Sequence, residues 1–276
     1  MRKAVDLVEL DQSSGNPVLR RFRSYRGAAL EVGWMAVNMA VWPAALVDEA
    51  VRSGARRVRF RRPAEQAPIK IQPTQDAAEI PILLVHGYFH NRSGLLVMER
   101  ALRKHGFKHV ECFTYNPLRK DVGQLAAMLK SRVDALVGKT GSQKIHLVGH
   151  SLGGIVCRYY IEQLGGGSRV HTVVTVGTPH EGTALANRGR SAAARQMRPS
   201  SELVAQMKAC RKPKSVRYLS YYSNLDAVVP AGSAVLSNGN GSRVKNILVH
   251  DLGHMSLLTS PRLLASIATH LSDLGS

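Results

Sequence analysis

From Ile80 to Leu271 short apolar runs alternate with longer segments whose apolar residues recur every three or four positions. Runs rich in Val, Ile and Leu, bounded by Gly, Pro, Asn or Asp, have the pattern of strands buried on both faces, and the longer segments that of amphipathic helices. Strands are predicted over Ile80–Val85, His109–Thr114, Lys144–Val148, Val170–Val176, Ser215–Tyr221 and Val244–Val249. Helices are predicted over Gly94–His105, Asp121–Val137, Ile155–Leu164 and Pro261–Leu271. Strands that take turns with helices build an α/β fold, here a mostly parallel central sheet with helices on both faces. There is no internal repeat.

The chain before this region reads differently. Residues 1–27 are polar, with Arg20, Arg21, Arg23 and Arg26 clustered ahead of an apolar stretch from Ala28 to Val47. That stretch is long enough to cross a bilayer, yet Glu31, Asn38 and Pro43 interrupt it and arginines flank both ends. Three readings stay open: a helix packed on the core, an interfacial helix using Trp34 and Trp42, and a true span. The charged lead is too long for a signal peptide and no small-x-small site follows it. Arg52, Arg56, Arg57, Arg59, Arg61 and Arg62 then form a basic linker, so residues 1–62 are expected to be a helical, basic extension and 63–276 the main domain.

At 276 residues and 44% hydrophobic content the chain can bury one sizeable core. Its net charge of +19 favours an anionic partner such as a membrane surface. Aromatics make up only 5% and do not interleave with the basic residues as a base-stacking platform requires, which argues against nucleic acid. Cys112, Cys157 and Cys210 are odd in number and far apart, so neither a disulfide framework nor a zinc site is indicated. Nothing else in the pattern calls for a metal or a cofactor.

The strongest chemical signal is Gly149-His150-Ser151-Leu152-Gly153-Gly154, set between a predicted strand and a predicted helix. A serine nucleophile must stand clear of the sheet on a sharp strand-to-helix turn, and the flanking glycines let strand and helix approach. Its hydroxyl is a poor nucleophile without an imidazole to take the proton and a carboxylate to fix the imidazole's tautomer. In folds with such an elbow the acid and the histidine follow the serine, in that order, on loops after later strands. Asp226 lies just past the strand ending near Tyr221, and His254 just past the one ending near Val249. Asp251 is the rival acid, but three residues from His254 on one loop it would have to fold back onto the ring.

Acyl transfer also needs donors aimed at the oxygen that becomes negative. The N–H of Leu152, directly after the nucleophile, and that of Tyr88, in the Val85-His86-Gly87-Tyr88-Phe89 turn after the first core strand, are the expected pair. His86, Phe89, His150 and His180 are expected to line the substrate pocket, with His150 packed under the elbow, and His90 to help shape it. Between Val176 and Ser215 an Ala-, Ser- and Arg-rich excursion, around 180–213, is placed where a small lid would sit.

Together with Gly177-Thr178-Pro179-His180-Glu181-Gly182, these motifs resemble bacterial lipases and esterases of the α/β-hydrolase superfamily over roughly residues 80–272. The C-terminal part is most similar to the small triacylglycerol lipases with a reduced lid. The resemblance implies an α/β-hydrolase fold, a triad of Ser151, Asp226 and His254, and oxyanion donors at Tyr88 and Leu152. It also implies cleavage of carboxylic esters of lipid-like substrates through an acyl-enzyme. Thioester hydrolysis or acyl transfer would use the same residues. A contrasting expectation is a non-catalytic, membrane-associated scaffold that keeps the fold.

Overall fold

The computed structural model describes residues 7–9, 72–237 and 243–275. In chain order the elements are β1 (Leu7–Glu9), α1 (Gln75–Glu79), β2 (Ile82–Val85), α2 (Leu96–Lys104), β3 (Val110–Phe113), α3 (Val122–Thr140), β4 (Ile145–His150) and α4 (Leu152–Gln163). There follow β5 (Val170–Val176), α5 (Ala192–Gln196), α6 (Glu202–Ala209), β6 (Arg217–Ser223), α7 (Ala231–Ala234), β7 (Arg243–Val249) and α8 (Pro261–Ser272). The strands form a single sheet of order β1-β7-β6-β5-β4-β2-β3, and every neighbouring pair is parallel. This is the α/β architecture expected from the alternating pattern.

The reason the inner strands read as unbroken apolar runs is visible in the packing: successive residues face opposite layers, and both layers are filled. Leu83, Val85, Leu147, Val173 and Tyr218 pack with Leu125, Leu129 and Val133 of α3 and Val156 of α4. Their sequence neighbours Ile82, Leu84, Val148, Val174 and Leu219 pack on the other face, with Met98 and Leu102 of α2 and Leu263 and Ile267 of α8. Helix α3 starts on a capping box, in which Asp121 Oδ1 accepts the Gln124 N–H at 2.7 Å and Gln124 Oε1 accepts the Asp121 N–H at 3.2 Å.

Strand β1 differs from the expectation of a helical extension over 1–62. Leu7 to Glu9 register with Asn246 to Leu248 at the edge of the sheet. Three residues in a charged stretch are too short to show alternation, so pairing with β7 decides their conformation. The rest of 1–62, including the apolar stretch 28–47 and the basic linker, lies outside the described residues. Among the described residues, no helix is long and apolar enough to cross a membrane. The excursion after β5 carries a 3-10 turn at Ala184–Arg188 followed by α5 and α6, so the segment expected as a lid is built of short helices.

Candidate active site

Parallel strands all end at one edge, and the residues singled out by sequence gather there because each follows a strand. The centre is the turn from β4 to α4. Ser151 holds φ 52° and ψ −122°, a conformation that costs a residue with a Cβ about 1–3 kcal/mol and persists only under tight packing. That packing rests on glycines. A Cβ on Gly153 would stand 2.2 Å from the Val85 carbonyl oxygen, and one on Gly149 would stand 2.6 Å from the Gly153 backbone. Strand β2, strand β4 and the first turn of α4 therefore meet backbone to backbone beneath the serine.

Past β6 and β7 the expected acid and base come together. Asp226 Oδ2 accepts a hydrogen bond from His254 Nδ1 at 2.7 Å, and both side chains are buried. The other oxygen, Oδ1, accepts the N–H groups of Val228 and Val229 at 2.9 and 2.8 Å. Their two loops are fastened to each other one step away from the pair. Ser223 Oγ accepts the N–H groups of Leu225 and Leu252 at 3.2 and 3.3 Å, and Asn224 Oδ1 accepts that of Asp251 at 2.9 Å. Asp251, with φ 60°, shapes this turn, and it is Asp226 that His254 Nδ1 faces. Gly177, at φ 53°, lies close beside the pair: a Cβ there would be 3.1 Å from both Asp226 Oδ2 and His254 Nδ1.

Leu152 opens α4, where a first-turn N–H has no acceptor within the helix and lies at the positive end of its dipole. The loop after β2 presses on the same point, since a Cβ on Gly87 would stand 3.0 Å from Ser151 Cβ. Tyr88, half-buried next to it, has its hydroxyl 2.8 Å from Ser191 Oγ, the N-cap of α5, which ties this loop to the excursion after β5.

Of the four residues expected to line a substrate pocket, His86 and His180 belong to the interior instead, and His150 is buried where it was expected to pack, under the elbow. His86 is fully buried, stacked on Tyr115 with ring centroids 4.0 Å apart, and donates from Nδ1 to the Gly87 carbonyl at 2.9 Å. Burial pushes its pKa down to about 4, so it is a neutral packing element. His180 accepts from Arg158 Nη1 at 3.1 Å and directs Nε2 toward Thr175 Oγ1 and Ser220 Oγ at 3.1 and 3.3 Å. Burial, reinforced by the Arg158 charge, holds it well below the ordinary histidine range. His150 is buried and packs against His90 and His254, with ring centroids 5.3 and 4.6 Å away. Phe89 alone of the four is exposed, at 59%, with Leu118 and Leu185 also exposed on loops at this edge.

Sequence reasoning passed over the Arg158–Glu162 pair. Arg158 Nε and Nη2 donate to the two carboxylate oxygens of Glu162 at 2.9 Å each, in the interior, and Nη2 also donates to the Met207 carbonyl at 3.1 Å. The spacing i,i+4 is the only signal, and it is shared by countless exposed helix pairs. Among the described residues no group of three or more metal-binding side chains converges.

Comparison with known proteins finds a family match, two sequence relatives and structural neighbours. A family model described as palmitoyl protein thioesterase matches residues 81–232. Triacylglycerol lipases of Pseudarthrobacter phenanthrenivorans and Burkholderia plantarii are each 31% identical over 125 residues, covering 41% of this chain and 37% and 33% of theirs. The chain thus spans about a third of the length of these curated relatives. Among solved structures, the mature Bacillus licheniformis lipase superposes with a TM-score of 0.61 at 19% identity, over 76% of this chain and 96% of that one. A carboxyl esterase from a metagenome superposes with a TM-score of 0.56 at 15% identity, over 95% and 96%. At these identities the structures show a shared α/β-hydrolase fold.

Proposed function

Because this chain belongs to the palmitoyl protein thioesterase family, we propose that it is a serine hydrolase that cleaves acyl esters of lipid-like substrates through an acyl-enzyme. The observation that carries the reading is the buried His254 Nδ1–Asp226 Oδ2 bond of 2.7 Å, at the same edge of the parallel sheet as a serine held on a strained elbow. A binding scaffold has no use for that combination.

In this mechanism Ser151 Oγ attacks the acyl carbonyl carbon while His254 Nε2 takes the hydroxyl proton. Asp226 keeps the Nδ1–H in place and stabilises the imidazolium. The N–H groups of Leu152 and Tyr88 receive the oxyanion. Collapse of the tetrahedral intermediate breaks the C–O bond, and His254 returns the proton to the departing alcohol. Water then attacks the acyl-serine by the same route in reverse. A thioester would break its C–S bond along the same path, and the family match supports this as the second reading.

The exposed Phe89, Leu118 and Leu185, with Arg119, Arg188 and Arg190 exposed on the same loops, support a lipid-like substrate delivered from an anionic surface. Labelling with a fluorophosphonate probe and hydrolysis of p-nitrophenyl and coenzyme A acyl esters test the reading. Labelling at Ser151 is expected, and Ser151→Ala is expected to lower kcat about a millionfold. A variant that keeps its rate would overturn the mechanism. The ratio of ester to thioester rates decides between the two substrates.

A further inference from the structure

His150 lies immediately before the nucleophile, at the last position of β4, and is 2% exposed. Its Nε2 is 3.2 Å from the backbone carbonyl oxygen of His254. A carbonyl only accepts, so Nε2 must carry the proton. Nδ1, on the other side of the ring, is buried with no hydrogen-bond partner. The neutral Nε2–H tautomer satisfies this arrangement; the Nδ1–H tautomer would strand a buried donor and leave Nε2 lone pair to carbonyl lone pair.

The ring also packs against two others. It stacks on His90 at a centroid distance of 5.3 Å and an interplanar angle of 22°, and meets the His254 ring at 4.6 Å and 45°. Only glycine fits beside these rings: a Cβ on Gly87 would stand 3.1 Å from His150 Nδ1, and one on Gly94 would stand 2.8 Å from His90 Nδ1.

Building on the hydrolase reading above, we propose that His150 is a positioning residue that ties the main chain of the general base to the strand bearing the nucleophile. Asp226 fixes the orientation of the His254 ring, but a bond to Nδ1 leaves the loop free to carry ring and carboxylate together away from Ser151. The His150–His254 bond closes that freedom, since residue 150 and residue 151 share a peptide unit. Burial keeps the His150 pKa well below the ordinary histidine range, with the nearby His254 and His90 acting in the same direction, so the tether survives proton traffic at its neighbour. A displacement of about 1 Å between reacting groups costs on the order of 100-fold in rate.

The test compares His150→Phe, which keeps a ring and loses the donor, with His150→Gln, which restores an N–H at similar reach. Thermal melting establishes that each variant is folded. The expected result is a kcat lowered roughly 100-fold in His150→Phe with KM little changed, and recovered to within about tenfold in His150→Gln. A folded His150→Phe with wild-type kcat, or equal losses in both variants, overturns the tether. Should His150→Phe fail to fold, 15N NMR of the wild-type histidines decides: His150 must be neutral and protonated at Nε2 near pH 7, and an Nδ1–H tautomer overturns the proposal. An inactive, unlabelled wild type would sink the hydrolase reading, whereas the wrong tautomer in an active enzyme sinks the tether alone.

Discussion

Asp226 divides its two carboxylate oxygens between His254 Nδ1 and the backbone N–H groups of Val228 and Val229, with no contact longer than 2.9 Å. Both oxygens are committed, so the carboxylate cannot swing away from the imidazole without abandoning a turn. Asp226→Asn should keep the fold and present an amide that can donate to Nδ1, selecting the wrong tautomer. We expect kcat to fall on the order of 10⁴-fold. Asp251→Asn should stay within a few-fold of wild type, and steady-state kinetics on both variants check the assignment of the acid.

Gly153 bears on stability more than on chemistry. A methyl group there meets the Val85 carbonyl at 2.2 Å, so Gly153→Ala must push β2 and α4 apart. The expected cost is about 1–3 kcal/mol, a melting temperature lower by several degrees, as overpacking usually gives. An unchanged calorimetric melt would show that the elbow is less tightly seated than described.

Arg158 and Glu162 form an ion pair with almost no solvent contact. Glu162→Leu leaves the guanidinium buried without its partner, and urea titration should show a loss of about 3–5 kcal/mol. Replacing both, as Arg158→Met with Glu162→Leu, should be more stable than the single variant, because the uncompensated charge is gone. The single variant should also loosen α6, whose Met207 carbonyl depends on Arg158.

Acid should unfold this protein early. Burial lowers the pKa of His86 to about 4 and of His90 to about 3, from 6.5 in the exposed state, and holds His146, His150 and His180 well below it. As pH falls below 6.5, the unfolded chain takes up protons that the folded chain refuses, so stability declines. Each fully neutral buried imidazole removes about 1.4 kcal/mol per pH unit in that window. Urea unfolding at pH 7 and pH 5 should show a steep drop, and a flat profile would contradict the neutral interior histidines.

Much of this arrangement was legible before any coordinates. The inner strands show themselves because both faces are buried, which leaves no polar position in Ile82–Val85 and fills Val170–Val176 with β-branched Val and Thr around His171. Ser151, Asp226 and His254 were legible through their order and their places after strands, since strand ends fix where loops meet. The fates of His86 and His180 were not, because whether an imidazole faces a cleft or a core depends on neighbours from distant strands. The same holds for Arg158–Glu162, whose local spacing says nothing of depth. Strand β1 was hidden by its brevity.

The φ of 52° at Ser151 has an evolutionary corollary. Glycine occupies such a backbone geometry without penalty, so Ser151→Gly would relax the elbow at the moment it abolished turnover. Breeding this molecule for heat tolerance alone would therefore reward its own silencing, and any such campaign needs a catalytic screen alongside the thermal one.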